Sequence, residues 1–152
     1  MTDGLPPHVE RVRPAWIDYN GHLSEAYYVL VFGHATDAMM EATGLDGAYR
    51  AATGCSLYTV ESHVRYLREV RDGAELRVRT RVLGVDAKRL RLAHEMYAEG
   101  GTEPVATTEL LGLHVAASGV VPFPEEVRAR YAALAEAPPA WAGRAIGPVP
   151  RG

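Results

Sequence analysis

The spacing of the hydrophobic residues changes near residue 55, and this change limits the folds open to the chain. Between Glu25 and Thr43 the sequence contains no proline and a single glycine, Gly33. Ser24 is a favourable N-cap and Gly44 a favourable C-terminal stop. Within the segment, large or apolar side chains recur at the spacing of one helical face, at Tyr28, Phe32, Ala35 and Met39. The segment therefore predicts one long amphipathic helix.

After residue 55 the pattern becomes typical of β-strands. Four segments predict strands, at residues 55–70, 75–81, 89–97 and 105–115. They are rich in β-branched and aromatic residues or alternate between charged and apolar residues. In the third of these, Leu90, Leu92, His94 and Met96 fall on one side, so that side should be buried. The order predicts an α+β fold with one long helix packed on an antiparallel sheet.

The ends of the chain complete this layout. Residues 8–13 predict a short first strand, and residues 124–135 a short last helix. With 152 residues, of which 47% are hydrophobic, the chain is long enough for a single domain with its own core. We expect that domain to span residues 1–135. The tail, residues 136–152, is rich in Pro and Gly, and we expect it to be poorly ordered unless a partner chain holds it.

Charge and cysteine usage exclude several classes of protein. The formal net charge of −3 gives no overall basic surface for nucleic acid, so no nucleic-acid partner is expected. No apolar run approaches the length of a bilayer-spanning helix, and the first ten residues lack the apolar core of a secretory signal. Cys55 is the single cysteine, so no internal disulfide can form, which fits a reducing compartment. We therefore expect a cytoplasmic protein without a membrane partner.

The stretch WIDYNGHLSEAYY, residues 16–28, gathers polar residues immediately before the predicted helix. Asp18, Asn20, Gly21 and His22 lie within five residues. One interpretation is ordinary turn and capping chemistry, since Asp and Asn stabilise turns before helices. The other is an active site, because unpaired N–H groups at a helix N-terminus can stabilise a negative charge that develops in a reaction. Residue types and spacing alone leave both open.

This stretch, together with HVRYLREVRDGAELRVRTRVLG, resembles the hotdog-fold acyl-CoA thioesterases of the 4-hydroxybenzoyl-CoA thioesterase type. Asp18, Gly21 and His22 match the D-x-x-G-H element that opens the central helix in that family, and DYNGHL is similar to the betainyl-CoA thioesterase-like branch. Glu69 stands where the family usually has proline, and Ala74 where it usually has an acid. The resemblance covers about residues 8–120 and implies a hotdog fold, with one long central helix wrapped by a curled antiparallel sheet.

The resemblance also implies a reaction. It implies hydrolysis of a short, polar acyl-CoA, with betainyl-CoA as one candidate, and with Asp18 as nucleophile or general base. It implies that the backbone N–H of Glu25 donates to the oxyanion, with Asn20 and His22 as further catalytic candidates. No cofactor is expected, since CoA is part of the substrate. The expected assembly is a homodimer or a homotetramer.

Aromatic residues around the motif suggest how an acyl group would be held. A quaternary ammonium is bound by aromatic faces and carboxylates, since it cannot donate a hydrogen bond. The predicted substrate-binding residues are Gly21, Tyr27, Tyr28, Trp16 and Tyr58. Tyr19 and Phe32 also lie close to the motif in the sequence, and Tyr66 lies with Tyr58 on the following strand. The alternative is that these aromatics belong to the core or to a subunit interface. Two groups of basic residues could bind the phosphates of CoA: the first is Arg65, Arg68 and Arg71, and the second is Lys88, Arg89 and Arg91. The alternative is that these residues form a solvated face of a strand.

Two other functions remain open at this point. A hotdog protein can be a binding module that holds an acyl group or a small cation without turnover. A hotdog dehydratase fits less well, because the N-P-x-H element of those enzymes is absent. The histidines are scattered, and HEMYA at residues 94–98 is not a zinc motif because residue 98 is Ala, so no metal is expected.

Overall fold

The structure is a computed structural model that describes residues 4–152. The expectations for the start of the chain include residues 1–3, which lie outside the described residues. None of the described helices combines the length and apolarity needed to cross a membrane. The elements in chain order are β1 (His8–Arg11), a 3-10 turn (Pro14–Trp16), α1 (Glu25–Thr43), α2 (Gly47–Thr53), β2 (Ser56–Tyr66), β3 (Glu75–Val85), β4 (Arg89–Ala98), β5 (Ala106–Ala116), β6 (Gly119–Val120) and α3 (Glu125–Leu134).

The strands form one antiparallel sheet in the order β1-β3-β4-β5-β2, with β6 paired to β5. The predicted burial of one side of β4 is confirmed at Leu90, Leu92, His94 and Met96, and in the middle of the strand Ala93 and Glu95 on the other side are buried as well. Strand β3 likewise buries Leu76 and Val78. Strand β2 lies at the end of the sheet, and along its outer edge it pairs with no other strand in residues 4–152.

Helix α1 begins and ends where the sequence predicts. Its buried residues are Tyr28, Val31, Phe32, Ala35, Thr36, Met39, Met40 and Thr43, which form one face. That face packs into the core with residues of β3 and β4, such as Leu76 and Met96. Gly44 ends the helix with φ = 92°, a left-handed conformation that glycine adopts without a Cβ penalty. The α+β architecture with one long helix on an antiparallel sheet is therefore confirmed.

The strand after the first helices is shorter than its composition suggests. The sequence predicts strand over residues 55–70, but β2 ends at Tyr66. The N–H groups of Leu67 and Arg68 both donate to the carbonyl oxygen of Val105, at 2.9 and 3.1 Å. Two consecutive donors on one acceptor turn the chain out of the ladder, so residues 67–70 become a loop that borders the site described below.

Helix α2 was not predicted. Its N-cap is Asp46, whose Oδ1 accepts a 2.9 Å hydrogen bond from the N–H of Tyr49. Gly54 ends the helix with φ = 68°. The helix spans only seven residues and buries none of them, so it produces no hydrophobic periodicity that a sequence could display.

Part of the Pro/Gly-rich tail contacts the charged face of the sheet. The N–H of Glu136 donates to the carbonyl oxygen of Val82 at 2.9 Å. Its carboxylate accepts hydrogen bonds of 3.1 Å from both Arg79 and Arg81. Further along, the N–H of Gly143 donates to the carboxylate of Glu109. These contacts hold the start of the tail against β3 and β5.

Candidate active site

The loop before α1 is a compact turn fixed by its own backbone. The N–H of Asp18 donates to the carbonyl oxygen of His22 at 2.9 Å, and the N–H of Gly21 donates to the carbonyl oxygen of Asp18 at 3.0 Å. The N–H of Ser24 donates to the carbonyl oxygen of Trp16 at 3.0 Å. Gly21 has φ = 80°, so a side chain at that position would be strained. The loop therefore presents Asp18 in a defined position beside the start of the helix.

Asp18 takes part in a turn and also faces a cleft. Its Oδ1 accepts a 2.9 Å hydrogen bond from the N–H of Asn20, which is the turn interaction considered from the sequence. The residue is half-buried and lines the cleft described below. A carboxylate has about four acceptor positions, so this one bond leaves capacity for a substrate or a water molecule. The turn and the catalytic interpretations are thus compatible in one residue.

The N-terminus of α1 lies in the same cleft. Ser24 occupies the N-cap position, but its side chain makes no capping hydrogen bond. The N–H of Tyr27 donates to the carbonyl oxygen of Ser24 at 3.0 Å. Within residues 4–152, no acceptor is hydrogen-bonded to the N–H of Glu25 or of Ala26. Unpaired N–H groups and the helix dipole give this end partial positive charge, which suits an oxyanion.

The cleft has a volume of about 850 Å³, within the range of small-molecule sites. The loop and the first turn of α1 form one wall, and the segment after β2 forms the other. The hydroxyl of Tyr28 donates a 2.9 Å hydrogen bond to the carbonyl oxygen of Arg68, which joins the two walls. The lining residues are Asp18, Tyr19, Asn20, His22, Leu23, Ser24, Glu25, Tyr28, Tyr66, Leu67, Arg68 and Glu69.

Acidic groups dominate the charge of the cleft. Asp18, Glu25 and Glu69 line it, whereas Arg68 is the one arginine or lysine in the lining. The Nε2 of His22 lies 3.2 Å from a carboxylate oxygen of Glu69. The cleft therefore favours a substrate group that carries positive charge.

Tyr28 and Tyr66 remain protonated across the physiological range. Burial raises the pKa of Tyr28, with smaller contributions in the same direction from Glu69, Tyr66 and Asp18. Burial also raises the pKa of Tyr66, with a contribution from Glu25. The rings of Tyr28 and Tyr66 meet edge to face with centroids 5.2 Å apart. These two rings form an aromatic wall next to the carboxylates.

The structure brings together all four predicted catalytic residues, but only some of the predicted aromatic residues. Asp18, Asn20, His22, Glu25 and Tyr28 line the cleft, and Gly21 forms the turn beneath it. The remaining aromatic candidates lie outside the lining of a single chain's cleft: Trp16, Tyr27, Phe32 and Tyr58.

The contacts and exposure of these aromatic residues explain why they lie outside the cleft. Trp16 is buried and stacks on Tyr27, with ring centroids 5.5 Å apart and an interplanar angle of 12°. Phe32 is in the core, stacked on His94. Tyr58 is exposed on β2. Side-chain type marks all of these as aromatic, but only the fold determines which ring faces the cleft.

Glu69 is a cleft residue that sequence reasoning did not assign to the site. In the sequence it differs from the family only as an acid in place of the usual proline. That difference was the one feature of the sequence that could have indicated a role for Glu69 in the site, because an acid in place of proline adds a charge. The structure places that charge opposite His22.

The basic candidates for the CoA phosphates divide into two groups. Arg89 pairs with Asp86 at 2.6 Å, and Arg91 pairs with Glu109 at 2.8 Å, so both guanidinium groups are engaged. Arg68, in contrast, lines the cleft itself. Of the six basic candidates, Arg68 is therefore the one that lies at the candidate site.

Comparisons with known proteins agree with one another. The family model described as the thioesterase-like superfamily matches residues 12–131. The betainyl-CoA thioesterase of Pseudomonas aeruginosa is 46% identical over 97% of this chain and 97% of its own length. An L-carnitine dehydrogenase/betainyl-CoA thioesterase of Agrobacterium fabrum is 55% identical over 71% of this chain, which corresponds to 22% of that longer protein. A Staphylococcus aureus protein solved in complex with CoA is 26% identical, with a TM-score of 0.87 over 99% of this chain and 98% of its own.

Proposed function

Since this chain belongs to the thioesterase-like superfamily and is an acyl-CoA thioesterase, we propose that it hydrolyses betainyl-CoA with Asp18 as nucleophile or general base. The observation that carries the proposal is the position of Asp18 in the same cleft as Glu25, whose N–H group at the start of α1 is unpaired within residues 4–152. A thioester in that cleft meets a base and an oxyanion site together.

The chemistry of the reaction fits these two groups. As the thioester carbonyl is attacked, its oxygen gains negative charge, and the N–H of Glu25 stabilises that charge with little reorganisation. Asp18 either attacks the carbonyl carbon directly or removes a proton from the attacking water. When Asp18 attacks, the C–S bond breaks, the thiolate of CoA leaves, and a mixed anhydride joins Asp18 to the betainyl group; water then hydrolyses the anhydride, which restores the carboxylate, releases betaine as the free acid and supplies the proton that the thiolate takes up. When water attacks, the C–S bond of the tetrahedral adduct breaks, the thiolate takes up the proton that Asp18 removed, and betaine is released as the free acid.

The charge of the cleft supports a trimethylammonium substrate. In betainyl-CoA the quaternary nitrogen is two bonds from the carbonyl carbon, at about 2.5 Å. The cation therefore enters the site with the thioester and cannot be held far away. Glu25 and Glu69 supply negative charge, and the rings of Tyr28 and Tyr66 supply aromatic surface, as a quaternary ammonium requires. A neutral acyl group gains nothing from these carboxylates.

Asn20 and His22 take supporting roles in this proposal. The N–H of Asn20 holds one oxygen of the Asp18 carboxylate at 2.9 Å, which limits the rotation of that carboxylate. His22 pairs with Glu69 across the cleft and fixes the position of the acid that we assign to cation binding.

We also propose that the working form is a homodimer or a homotetramer. The outer edge of β2 is unpaired within residues 4–152, and it carries the exposed side chains of Tyr58 and Val60. Exposed apolar edge strands are prone to pair with other chains. A second copy on this edge would bring Tyr58 into a subunit interface, and sedimentation of the purified protein tests this. A CoA ester as substrate also fits the cytoplasmic location expected from the sequence.

A substrate panel tests the proposal. Release of the CoA thiol is measured with betainyl-CoA and with 3,3-dimethylbutyryl-CoA, which replaces the quaternary nitrogen by carbon and keeps the shape. We expect at least a tenfold higher kcat/KM for betainyl-CoA, which corresponds to about 1.4 kcal/mol of preferential binding. Equal values for the two esters would contradict the role of the cation, while hydrolysis of both would leave the thioesterase activity intact.

A further inference from the structure

A cluster of three potential metal ligands joins β1 to α1, outside the cleft. His8 and Glu10 are two residues apart on β1, so their side chains lie on one face of the strand. The Nε2 of His8 is 3.0 Å from Oε1 of Glu10, and the Nδ1 of His34 on α1 is 2.8 Å from the same oxygen. All three donor atoms lie within 4.8 Å of one another. The proposed hydrolysis uses none of these residues.

We propose that His8, Glu10 and His34 bind a divalent transition-metal ion, with Zn²⁺ as the best fit. Two imidazole nitrogens and one carboxylate oxygen form a donor set that zinc prefers. Ligand atoms bound tetrahedrally at about 2.1 Å are about 3.4 Å apart. The observed separations of 3.0 and 2.8 Å therefore need to widen by only a few tenths of an ångström.

The burial of the cluster suits a metal with a fourth, external ligand. The side chains of His8, Glu10 and His34 are 23%, 16% and 38% exposed. The ligands are shielded enough to keep their geometry, while His34 leaves a path for the ion and room for a water molecule. Without metal, Oε1 of Glu10 accepts an N–H from each ring. A bound metal ion takes the place of these two protons, which the neutral rings can carry on their other nitrogens instead.

The site would link two segments on either side of the candidate active-site loop. Glu10 and His34 are 24 residues apart, and the loop that carries Asp18 lies between them. A metal bound to both closes that segment and stabilises the folded form over the unfolded chain. The sequence showed no metal motif because two ligands alternate along a strand and the third comes from a distant helix. The proposal therefore replaces the sequence-based expectation of no metal.

Titration with zinc chloride tests the proposal in the full chain after dialysis against EDTA. We expect one zinc ion per chain, measured by elemental analysis after gel filtration, and a melting temperature that rises with zinc concentration. In Glu10→Gln and in His34→Ala, the zinc concentration needed for either effect should be at least about 100-fold higher. Loss of a metal ligand should weaken binding more than loss of a residue that only supports a ligand. Glu10→Gln keeps an oxygen that can accept both hydrogen bonds, so it separates metal binding from a plain hydrogen-bond cluster.

His63→Ala is the matched control. His63 is half-buried on β2 and forms no part of the cluster, so this variant should bind zinc as the wild type does. A wild-type melting temperature that does not change with zinc would overturn the proposal without reference to any variant. Equal zinc binding by the wild type, Glu10→Gln and His34→Ala would also overturn it. Neither result would affect the proposed thioesterase mechanism, which depends on Asp18.

Discussion

The hydroxyl of Tyr28 donates a 2.9 Å hydrogen bond to the carbonyl oxygen of Arg68, 40 residues along the chain. Tyr28 belongs to the first turns of α1, and Arg68 belongs to the loop after β2. These are the two walls of the candidate active site. One side-chain hydrogen bond therefore sets the width of the cleft next to Asp18 and Glu69.

Replacing this tyrosine should loosen the site. Tyr28→Phe leaves the ring in the core but removes the donor, so we expect a loss of about 1 kcal/mol in the free energy of unfolding. We expect kcat/KM to fall as well, because the two walls no longer hold a fixed separation. Urea denaturation and steady-state kinetics measure the two effects. Tyr66→Phe is the control, since the Tyr66 hydroxyl does not join the walls and its removal should alter stability less.

Neutralising the acid at the cleft mouth should change specificity more than stability. The His22–Glu69 pair is partly exposed, with the Glu69 side chain 76% exposed, so Glu69→Gln should alter the free energy of unfolding by no more than about 0.5 kcal/mol. The KM for betainyl-CoA should rise severalfold, while the KM for 3,3-dimethylbutyryl-CoA should not. Glu126→Gln, at an exposed acid on α3, controls for net charge. If the KM values for both esters rise in parallel, Glu69 does not recognise the cation.

The first two helices, α1 and α2, should respond differently to loss of their N-cap residues. Asp46 caps α2 through its side chain, so Asp46→Ala should cost about 1 kcal/mol. The side chain of Ser24 makes no such bond, so Ser24→Ala should change the free energy of unfolding by less than about 0.5 kcal/mol. Thermal unfolding of both variants checks the difference. A large loss in Ser24→Ala would mean that the first N–H groups of α1 are capped and not free for an oxyanion.

His94 should make the fold sensitive to acid. Burial lowers its pKa from 6.5 to about 3, and its ring lies between the hydroxyls of Thr36 and Thr80, at 2.8 and 2.9 Å. Between these pH values the unfolded chain binds a proton that the folded chain does not. Stability should therefore fall as the pH falls through that window, by up to about 1.4 kcal/mol per pH unit from this group.

A variant isolates this contribution. In His94→Gln the free energy of unfolding should depend less steeply on pH between about 6.5 and 3, although the variant is less stable at neutral pH. Equilibrium unfolding across this range, compared with the wild type, measures the difference in slope. Identical slopes would show that His94 takes up its proton equally in both states.

Helix α1 and strand β4 were predictable because each has one face that is buried along its length. Helix α1 shows the period of a half-buried helix, and β4 is fully buried at every second position from Leu90 to Met96. The end of β2 at Tyr66 was not predictable, because it depends on the carbonyl oxygen of Val105, which is distant in sequence. Helix α2 was missed because it buries no residue and so leaves no pattern.

The part of the candidate site that comes from one continuous stretch of sequence was predictable. The part that depends on contacts between distant segments was not. The residues from Asp18 to Glu25 form one continuous stretch, and their types already indicated a turn before a helix. The contribution of Glu69 depends on how the loop after β2 folds back over α1. The joining of His8 and Glu10 to His34 depends on packing between a strand and a helix. Such contacts leave no trace in the spacing of a single sequence.

The most direct measurement is the hydrolysis of betainyl-CoA by Asp18→Asn. Asparagine keeps an oxygen that can accept the N–H of Asn20, so the turn and the melting temperature should be preserved while the basic and nucleophilic carboxylate is lost. Asp37→Asn, at an exposed acid on α1, is the control and should retain wild-type activity. We predict that kcat/KM of Asp18→Asn falls by about 10²- to 10⁴-fold. A folded Asp18→Asn variant with activity within a few fold of the wild type would contradict the assignment of Asp18 as the catalytic carboxylate.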